Sequence, residues 1–144
     1  AAGVFAMEAM WTRFLPLLAL ARARIEAGAL GELRGFEGAF LGATRPDTGI
    51  SLFDPARGGG ALLNRGVYPL SLARFLLGPI VETRAIARIG ASGVDEETAL
   101  TLRHASGAIS TIGMILKDAV TEPGLSALPE PAAGQEAGTV SPGR

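Results

Sequence analysis

Asn64 and Tyr68, which follow the glycines at 58–60, are the residues whose types and spacing could carry chemistry. Glycine lacks a Cβ atom, so a run of glycines lets the backbone approach a ligand or another surface closely. If the segment is helical, Asn64 and Tyr68 lie on one face, because residues four apart are neighbours on a helix. The pattern could therefore present a phenol to a bound ligand beside bare backbone. A tyrosine with its ordinary pKa near ~10 needs a neighbouring positive charge to transfer protons near neutral pH.

Both side chains also have a purely structural interpretation. Tyr68 could pack its ring into the core and leave the hydroxyl at the surface, and Asn64 could cap a helix. His104, the only histidine, stands at the end of a predicted strand with no potential ligand close to it in sequence. Since a metal site needs several ligands, we predict a surface position for His104 and no metal site.

The composition indicates one globular domain without a nucleic-acid or membrane partner. The 144 residues are 48% hydrophobic and 19% charged, with a formal net charge of −1 and no cysteine, which excludes disulfides and thiolate metal sites. A nucleic-acid platform would need a basic surface, which this balance does not supply. No apolar run reaches the ~18 residues of a membrane span. The first residues lack the basic region of a signal peptide, so we expect a cytoplasmic protein.

The apolar pattern predicts an α+β fold in which antiparallel strands lie behind two helices. Pro16 suits the first turn of the first helix and Gly28 its end, and Gly78 ends the second helix. Glu8 interrupts the first predicted strand, and we expect it at the strand edge or in an ion pair because a lone buried carboxylate is costly. The predicted strands are 4–10, 32–44, 80–91, 98–104 and 108–116, and the predicted helices are 16–28 and one that ends near 77.

The end of the chain differs from the rest in composition. Residues 120–144 contain four prolines and four glycines and almost no periodic apolar pattern. Such a composition is typical of disordered or loosely attached segments. We therefore predict a folded domain over residues 1–118 and a disordered tail over 119–144.

Four blocks of the sequence, taken together, point to a known family. In chain order they are MEAMWTRFLP at 7–16, EAGALGE at 26–32, GGGALLNRGVYP at 58–69 and GVDE at 93–96. They resemble the Gfo/Idh/MocA family of oxidoreductases, most closely its dihydrodiol and sugar dehydrogenase branch. The resemblance implies a Rossmann domain that holds NAD or NADP, followed by an open, mostly antiparallel sheet with helices packed on one face. Because no Gly-x-Gly-x-x-Gly fingerprint stands between a strand and a helix here, the chain looks like the second part only.

The resemblance implies roles for several residues of the third block. Tyr68 matches the residue that acts as acid or base on the substrate hydroxyl while hydride passes to or from the nicotinamide. Asn64 matches a neighbouring position that is usually aspartate, and asparagine keeps the hydrogen-bonding shape but loses the charge. Gly59 and Gly60 would let their loop lie close to the cofactor. The positive charge beside Tyr68 would come from outside this chain, because the family's catalytic lysine belongs to the first domain.

Two residues of the first block, Trp11 and Arg13, lie where the family brings the substrate cleft and the cofactor together. Trp11 would form a wall of the substrate pocket, unless it is an ordinary core aromatic. Arg13 would bind a phosphate of the cofactor or form a structural ion pair with Glu8.

The resemblance thus predicts the substrate and oligomerisation domain of an NAD(P)-dependent oxidoreductase that acts on a sugar, polyol or dihydrodiol. We expect this domain to be inactive alone, to work with an N-terminal nucleotide-binding domain and to form a homo-oligomer through its sheet. The alternative is a non-catalytic dimerisation or binding module, or a decayed remnant of such an enzyme. Asn64 and Ser51, a position where close relatives tend to carry arginine, favour the alternative, whereas Tyr68 and the glycines favour the enzyme. The choice between NAD and NADP lies in the absent domain.

Overall fold

The computed structural model describes residues 3–42, 44 and 51–116. This part of the chain contains two α-helices and one four-stranded sheet. The elements are α1 (Pro16–Glu26), β1 (Gly35–Leu41), α2 (Val67–Leu77), β2 (Ile80–Ile89), β3 (Asp95–His104) and β4 (Ile109–Ile115). Short 3₁₀ helices occupy Trp11–Phe14, Ser51–Phe53 and Pro55–Arg57, and a π-helical turn at Leu62–Gly66 leads directly into α2.

The strands form an open, mixed sheet in the order β1-β4-β3-β2. β3 pairs antiparallel with both β2 and β4, whereas β1 pairs parallel with β4. A parallel pair needs a long crossover connection, and here the chain between β1 and β4 contains α2 and the β2–β3 hairpin. The predicted α+β class and the open, mostly antiparallel sheet are confirmed.

The core lies between α2 and one face of β3 and β4. Leu100, Leu102 and His104 alternate with exposed residues along β3, as expected for a strand with one buried face. Ile112 and Met114 of β4 face the same way, and Leu100 pairs directly with Ile112. Burial of each large apolar side chain stabilises the fold by about 1.5–3 kcal/mol. The buried hydrophobic residues are Ala61, Ala73, Leu77, Val94, Leu100, Leu102, Ala108, Ile112, Met114 and Leu116.

The second helix ends at the predicted glycine, Gly78, whereas α1 ends at Glu26, two residues before Gly28. Pro16 is the first residue of α1, where its missing N–H costs no hydrogen bond. After α1, Gly28 adopts a φ of 70°, a left-handed value that glycine reaches without strain. Gly78 ends α2, and Pro69 is the third residue of α2, just after the π-helical turn.

The predicted first strand, residues 4–10, is wrong, because this segment forms no strand. Its apolar side chains lie in solvent, with Val4 76% exposed and Phe5 87% exposed. A strand forms where a neighbouring strand satisfies its backbone groups, and the described residues supply none beside this segment. Leu17 and Leu20 of α1 are exposed as well. The amino-terminal region therefore has an apolar surface that the described chain does not cover.

Part of the chain lies beyond the described residues. The predicted tail, 119–144, falls outside them. Within residues 3–42 and 51–116, no helix combines the length and the apolar character needed to cross a membrane.

Candidate active site

The loop that contains the three glycines is held against the start of the following helix by Asn64. The Asn64 Nδ2 atom donates hydrogen bonds to the carbonyl oxygens of Gly58 and Gly60, each at 3.0 Å. Because both partners are acceptors, an ionised aspartate at this position could not make the same contacts. Asn64 therefore clamps the loop through its amide group.

Close packing within the chain accounts for the glycines at positions 59 and 60. A Cβ atom on Gly59 would lie 2.6 Å from the carbonyl oxygen of Leu52 and 2.8 Å from two backbone atoms of Asp54. On Gly60, whose φ is 120°, a Cβ atom would lie 2.1 Å from Oδ1 of Asp95. These separations are shorter than van der Waals contact, so the fold itself requires glycine at both positions. Their contact with a cofactor stays a prediction.

Asp95, the first residue of β3, caps the helical segment that follows the loop. Its Oδ2 atom accepts a hydrogen bond of 2.8 Å from the backbone N–H of Leu62 and one of 2.6 Å from the hydroxyl of Thr98. The first N–H groups of a helix lack partners within the helix and carry partial positive charge, so a carboxylate stabilises them. The cap fixes the start of the helix relative to the sheet.

The π-helical turn Leu62–Gly66 precedes Tyr68 and brings the helix against the sheet. A π turn holds more residues than an α turn, which changes the direction of the side chains after it, and such turns are frequent at functional sites. Gly66 is buried, and a Cβ atom there would lie 2.5 Å from Sδ of Met114. Tyr68 follows two residues later and packs against Phe40 of β1.

Tyr68 and Trp11 both line an open cleft of about 460 Å³ beside β1, an edge strand of the sheet. The rings of Tyr68 and Phe40 have centroids 5.5 Å apart and are tilted by 39°. Trp11, from the first 3₁₀ helix, is 60% exposed and is not a core aromatic. The residues that line the cleft are Trp11, Thr12, Phe36, Glu37, Gly38, Ala39, Phe40, Tyr68, Pro69 and Leu72.

The lining of this cleft is mostly apolar and aromatic, and its volume lies in the ~300–1,000 Å³ range of small-molecule sites. Aromatic faces offer a packing surface for the apolar face of a ring-shaped ligand. Two lining side chains can exchange a proton, the Tyr68 phenol and the Glu37 carboxylate. Glu37 is exposed and alternates with Phe36, which faces the helices. Tyr68 is therefore the better placed of the two to act on a ligand in the cleft.

The comparison with known proteins decides the family. Residues 18–122 match the family model described as GFO/IDH/MocA C-terminal domain. The chain belongs to the GFO/IDH/MocA family. This match confirms the family that the four sequence blocks indicated.

Several relatives in the family are enzymes with named substrates. Over 91 residues the chain is 40% identical to dTDP-3,4-didehydro-2,6-dideoxy-alpha-D-glucose 3-reductase of Saccharopolyspora spinosa, which covers 62% of this chain and 27% of the reductase. Over 113 residues it is 32% identical to trans-1,2-dihydrobenzene-1,2-diol dehydrogenase of Bos taurus, which covers 73% of this chain and 31% of the dehydrogenase. A solved structure of levoglucosan dehydrogenase, in complex with NADH and levoglucosan, matches with a TM-score of 0.71 and 28% identity over 79% of this chain and 34% of that one. The chain spans about a third of the length of these proteins.

Arg13 of this family member does not line the cleft. Its Nε atom donates a hydrogen bond of 2.8 Å to the Ser71 hydroxyl, and its guanidinium carbon lies 5.8 Å from the centre of the Phe75 ring. The ion pairs of the described residues do not include the expected pair of Arg13 with Glu8. Arg13 instead fastens the 3₁₀ helix that carries Trp11 to α2. Its contact with a cofactor phosphate stays a prediction.

The predicted surface position of His104 is wrong, because this side chain is completely buried. Its Nδ1 atom lies 3.0 Å from the carbonyl oxygen of Gly78 and its Nε2 atom 2.8 Å from the Ser110 hydroxyl. Since a carbonyl only accepts, Nδ1 carries a proton, and in the neutral ring the Ser110 hydroxyl donates to Nε2. The alternation of Leu100 and Leu102 along β3 is the signal that could have placed His104 on the buried face, whereas its distant partners were not visible in the sequence. The described residues contain no group of three or more His, Cys, Asp or Glu side chains that could hold a metal ion.

Arg65, which the sequence analysis did not single out, reaches from the π-helical turn to the ends of β1 and β4. Its guanidinium donates to the carbonyl oxygens of Gly42 and Ile115 and, at 2.7 Å, to the hydroxyl of Thr44. Burial lowers the pKa of the Arg65 guanidinium, which remains positively charged because the ordinary arginine pKa lies far above neutrality. An arginine within a helical pattern usually indicates a solvent-exposed face, so only the structure reveals this position.

Proposed function

We propose that this chain is the substrate-binding, C-terminal domain of an NAD(P)-dependent oxidoreductase. The complete enzyme would transfer hydride between the nicotinamide and a hydroxyl-bearing carbon of a sugar, polyol or dihydrodiol. The observation that carries this proposal is the meeting of Tyr68 and Trp11 in one aromatic cleft. The named reactions of the reductase and dehydrogenases with which the chain shares its family support the same reaction class.

The described residues do not fit the role of holding the dinucleotide themselves. A phosphate binds well at a helix N-terminus because the N–H groups there are free. In this chain the N–H of Leu62, at the start of the helical segment before α2, already binds the carboxylate of Asp95. That carboxylate would repel a phosphate. We therefore assign NAD or NADP to an N-terminal nucleotide-binding domain, and we expect the present chain to be inactive alone.

The exposed amino-terminal region supports a contact with such a domain. Large apolar side chains lie in solvent from the first described residues through α1, and contiguous apolar surfaces of this kind commonly mark interfaces. The relatives are more than twice as long as this chain, which leaves room for a domain that covers this surface. The most exposed members are Val4, Phe5, Met7, Phe14 and Leu17.

Tyr68 is the proposed acid/base. During oxidation the Tyr68 phenolate would take the proton of the substrate hydroxyl, and during reduction the Tyr68 phenol would give it back. Trp11 and the other aromatic side chains of the cleft would pack against the apolar face of the substrate ring, which orients the reacting hydroxyl toward Tyr68. Asn64 acts on this site indirectly, through the loop that it clamps.

A non-catalytic dimerisation module is the second candidate, and the open face of the sheet favours it. Ala39, Gly113 and Ala99 lie in register across three strands on the face opposite α2. Small side chains in the middle of an exposed sheet leave a shallow trough that a second copy of the sheet could fill. In the first candidate the same surface would hold a homo-oligomer of the enzyme together.

The experiment that separates the candidates joins this chain to its nucleotide-binding domain and follows NAD(P)H absorbance with sugars, polyols and dihydrodiols. We expect turnover, and we expect Tyr68→Phe to lower kcat by about 10²-fold or more, because it removes the proton-transfer group. Thr83→Val is the matched control, since it removes an exposed hydroxyl from β2, the other edge strand of the sheet, and it should leave kcat unchanged.

Two results would contradict the enzymatic proposal. Full activity in Tyr68→Phe would remove Tyr68 from the mechanism. A joined protein that binds NAD(P)H but turns over none of the three substrate classes, while it forms a stable dimer, would favour the non-catalytic module.

A further inference from the structure

The Tyr68 ring is the end of a stack of three side chains that begins at Arg65. The guanidinium carbon of Arg65 lies 5.6 Å from the centre of the Phe40 ring. The Phe40 ring centre in turn lies 5.5 Å from that of Tyr68. Both distances fall within the usual ranges for cation–π and aromatic contacts. Phe40 is thus held between a cation and the phenol that lines the cleft.

The far end of the stack is anchored to backbone. Arg65 donates to the carbonyl oxygens of Gly42 and Ile115 and to the Thr44 hydroxyl. A guanidinium is a rigid planar fork, so several anchors fix the orientation of its plane as well as its position. These anchors lie at the ends of β1 and β4, the parallel pair of the sheet.

Position 42 is shaped to admit the guanidinium. A Cβ atom on Gly42 would lie 2.7 Å from Nη1 of Arg65, closer than a Cβ atom packs against a nitrogen atom. The ion pairs of the described residues do not include Arg65. Among the described residues, neutral acceptors hold the guanidinium, and these directional hydrogen bonds fix its orientation.

We propose that Arg65 is a positioning residue for Tyr68, which it orients through Phe40. The guanidinium fixes the plane of the Phe40 ring, and the Phe40 ring limits the directions in which the phenol can point into the cleft. The geometric part of this inference stands on the three contacts alone, whereas its catalytic consequence rests on the proposed function.

The chain contains a single tyrosine, so tyrosine labelled with ¹³C in the ring reports on Tyr68 alone. In the full 144-residue chain, we expect NMR cross-peaks between the Tyr68 and Phe40 rings. Arg65→Lys keeps the charge but loses the planar fork, and these cross-peaks should be lost. Arg88→Lys is the matched control, because Arg88 is exposed and pairs with Glu97 on the far side of the sheet, and it should leave the cross-peaks intact.

A second variant covers the case in which Arg65→Lys does not fold. Gly42→Ala does not substitute Arg65 or Phe40, but its methyl group would displace Nη1 of Arg65. It should therefore also weaken the cross-peaks between Phe40 and Tyr68. Cross-peaks of wild-type intensity in the folded variants would overturn the inference.

The catalytic consequence is tested in the enzyme joined to its nucleotide-binding domain. We expect Arg65→Lys to lower kcat by about tenfold or more and to change KM by less than about twofold, because a displaced phenol affects the proton transfer more than substrate binding. A purely structural residue would lower the melting temperature and leave kcat per folded molecule unchanged, and that result would overturn the catalytic part. If the wild-type enzyme shows no turnover, the proposed function fails, and the ring cross-peaks still decide whether Arg65 positions Tyr68.

Discussion

The amino-terminal region, residues 3–44, and the later region, residues 61–116, contain similar apolar side chains but bury them very differently. Every buried hydrophobic residue of the described chain lies in the later region. Leu17 of α1 is 73% exposed, whereas Leu102 of β3 is 1% exposed. The difference shows that an apolar pattern specifies an element and its apolar face but not the surface that covers this face. The later region finds its cover within the chain, whereas the apolar side chains of the amino-terminal region are not covered by the described residues.

Two leucine truncations should expose this contrast most strongly. Leu102→Ala leaves a cavity in the core and should lower the free energy of unfolding by about 2–5 kcal/mol. Leu17→Ala removes the same atoms from an exposed site and should change the free energy of unfolding by less than about 0.5 kcal/mol. Urea unfolding followed by circular dichroism measures both in the same chain. Similar losses in the two variants would mean that the amino-terminal surface is already covered in solution, for example by a second copy.

Two serine truncations sharpen the same comparison at a smaller scale. Ser110→Ala removes the hydrogen-bond partner of Nε2 of buried His104. We expect the free energy of unfolding to fall by about 1–3 kcal/mol, because a buried polar atom is left unsatisfied. Ser71→Ala removes the acceptor of Arg13 at the exposed contact between the first 3₁₀ helix and α2. Water can replace that partner, so the loss should stay below about 1 kcal/mol. Equal losses would contradict the contrast between a buried and a solvated hydrogen bond.

The smallest expected effect is the contribution that the charged pairs of the later region make to the dependence of stability on pH. A hydrogen bond and the charge of Arg103 lower the pKa of Glu82, and a hydrogen bond from Arg88 lowers the pKa of Glu97. Because both pKa values are depressed in the folded state, the stabilisation is complete above the unfolded pKa near ~4.3 and is lost as the pH falls through the folded values.

The check is a series of melting temperatures from pH 7 down to pH ~3. At the acid end of the series, the melting temperature should change less steeply with pH in the double variant Arg88→Gln, Arg103→Gln than in the wild-type chain. The slope should be small in either case, since these pairs are exposed and solvent weakens them. An unchanged slope in the double variant would assign the acid sensitivity to other groups.

Much of the fold follows from local patterns in the sequence. Pro16 and Gly28 bound α1 through backbone geometry that depends on neither packing nor partners. The alternation along β3 and β4 predicts their buried faces, because one face of each strand meets α2. The segment 4–10 was predicted wrongly for the complementary reason. Its apolar pattern is strand-like, but pairing is a property of two segments, and the described chain supplies only one.

The candidate site could be predicted only in part. The resemblance to a family predicted site roles for Trp11 and Tyr68, and both line one cleft in the structure. The apolar pattern alone was equally compatible with a core position for both residues. The contacts of Arg65 and Asp95 reach across 50 and 33 residues of sequence. No local pattern encodes such contacts, because they depend on the tertiary fold. His104 was predicted wrongly at the surface, because its lack of neighbouring ligands was given more weight than the alternation along β3.

The close approach of Gly60 and Asp95 has a consequence for how this sequence can diverge. The carboxylate of Asp95 lies where a Cβ atom on residue 60 would be. A lineage that replaces the glycine must therefore first shorten or lose the aspartate, and with it the cap on the helix that carries Tyr68. Even after the aspartate is lost, a side chain at position 60 is strained, because the φ of Gly60 is 120°. In an alignment of descendants, substitutions at these two positions should appear in that order and rarely alone at position 60.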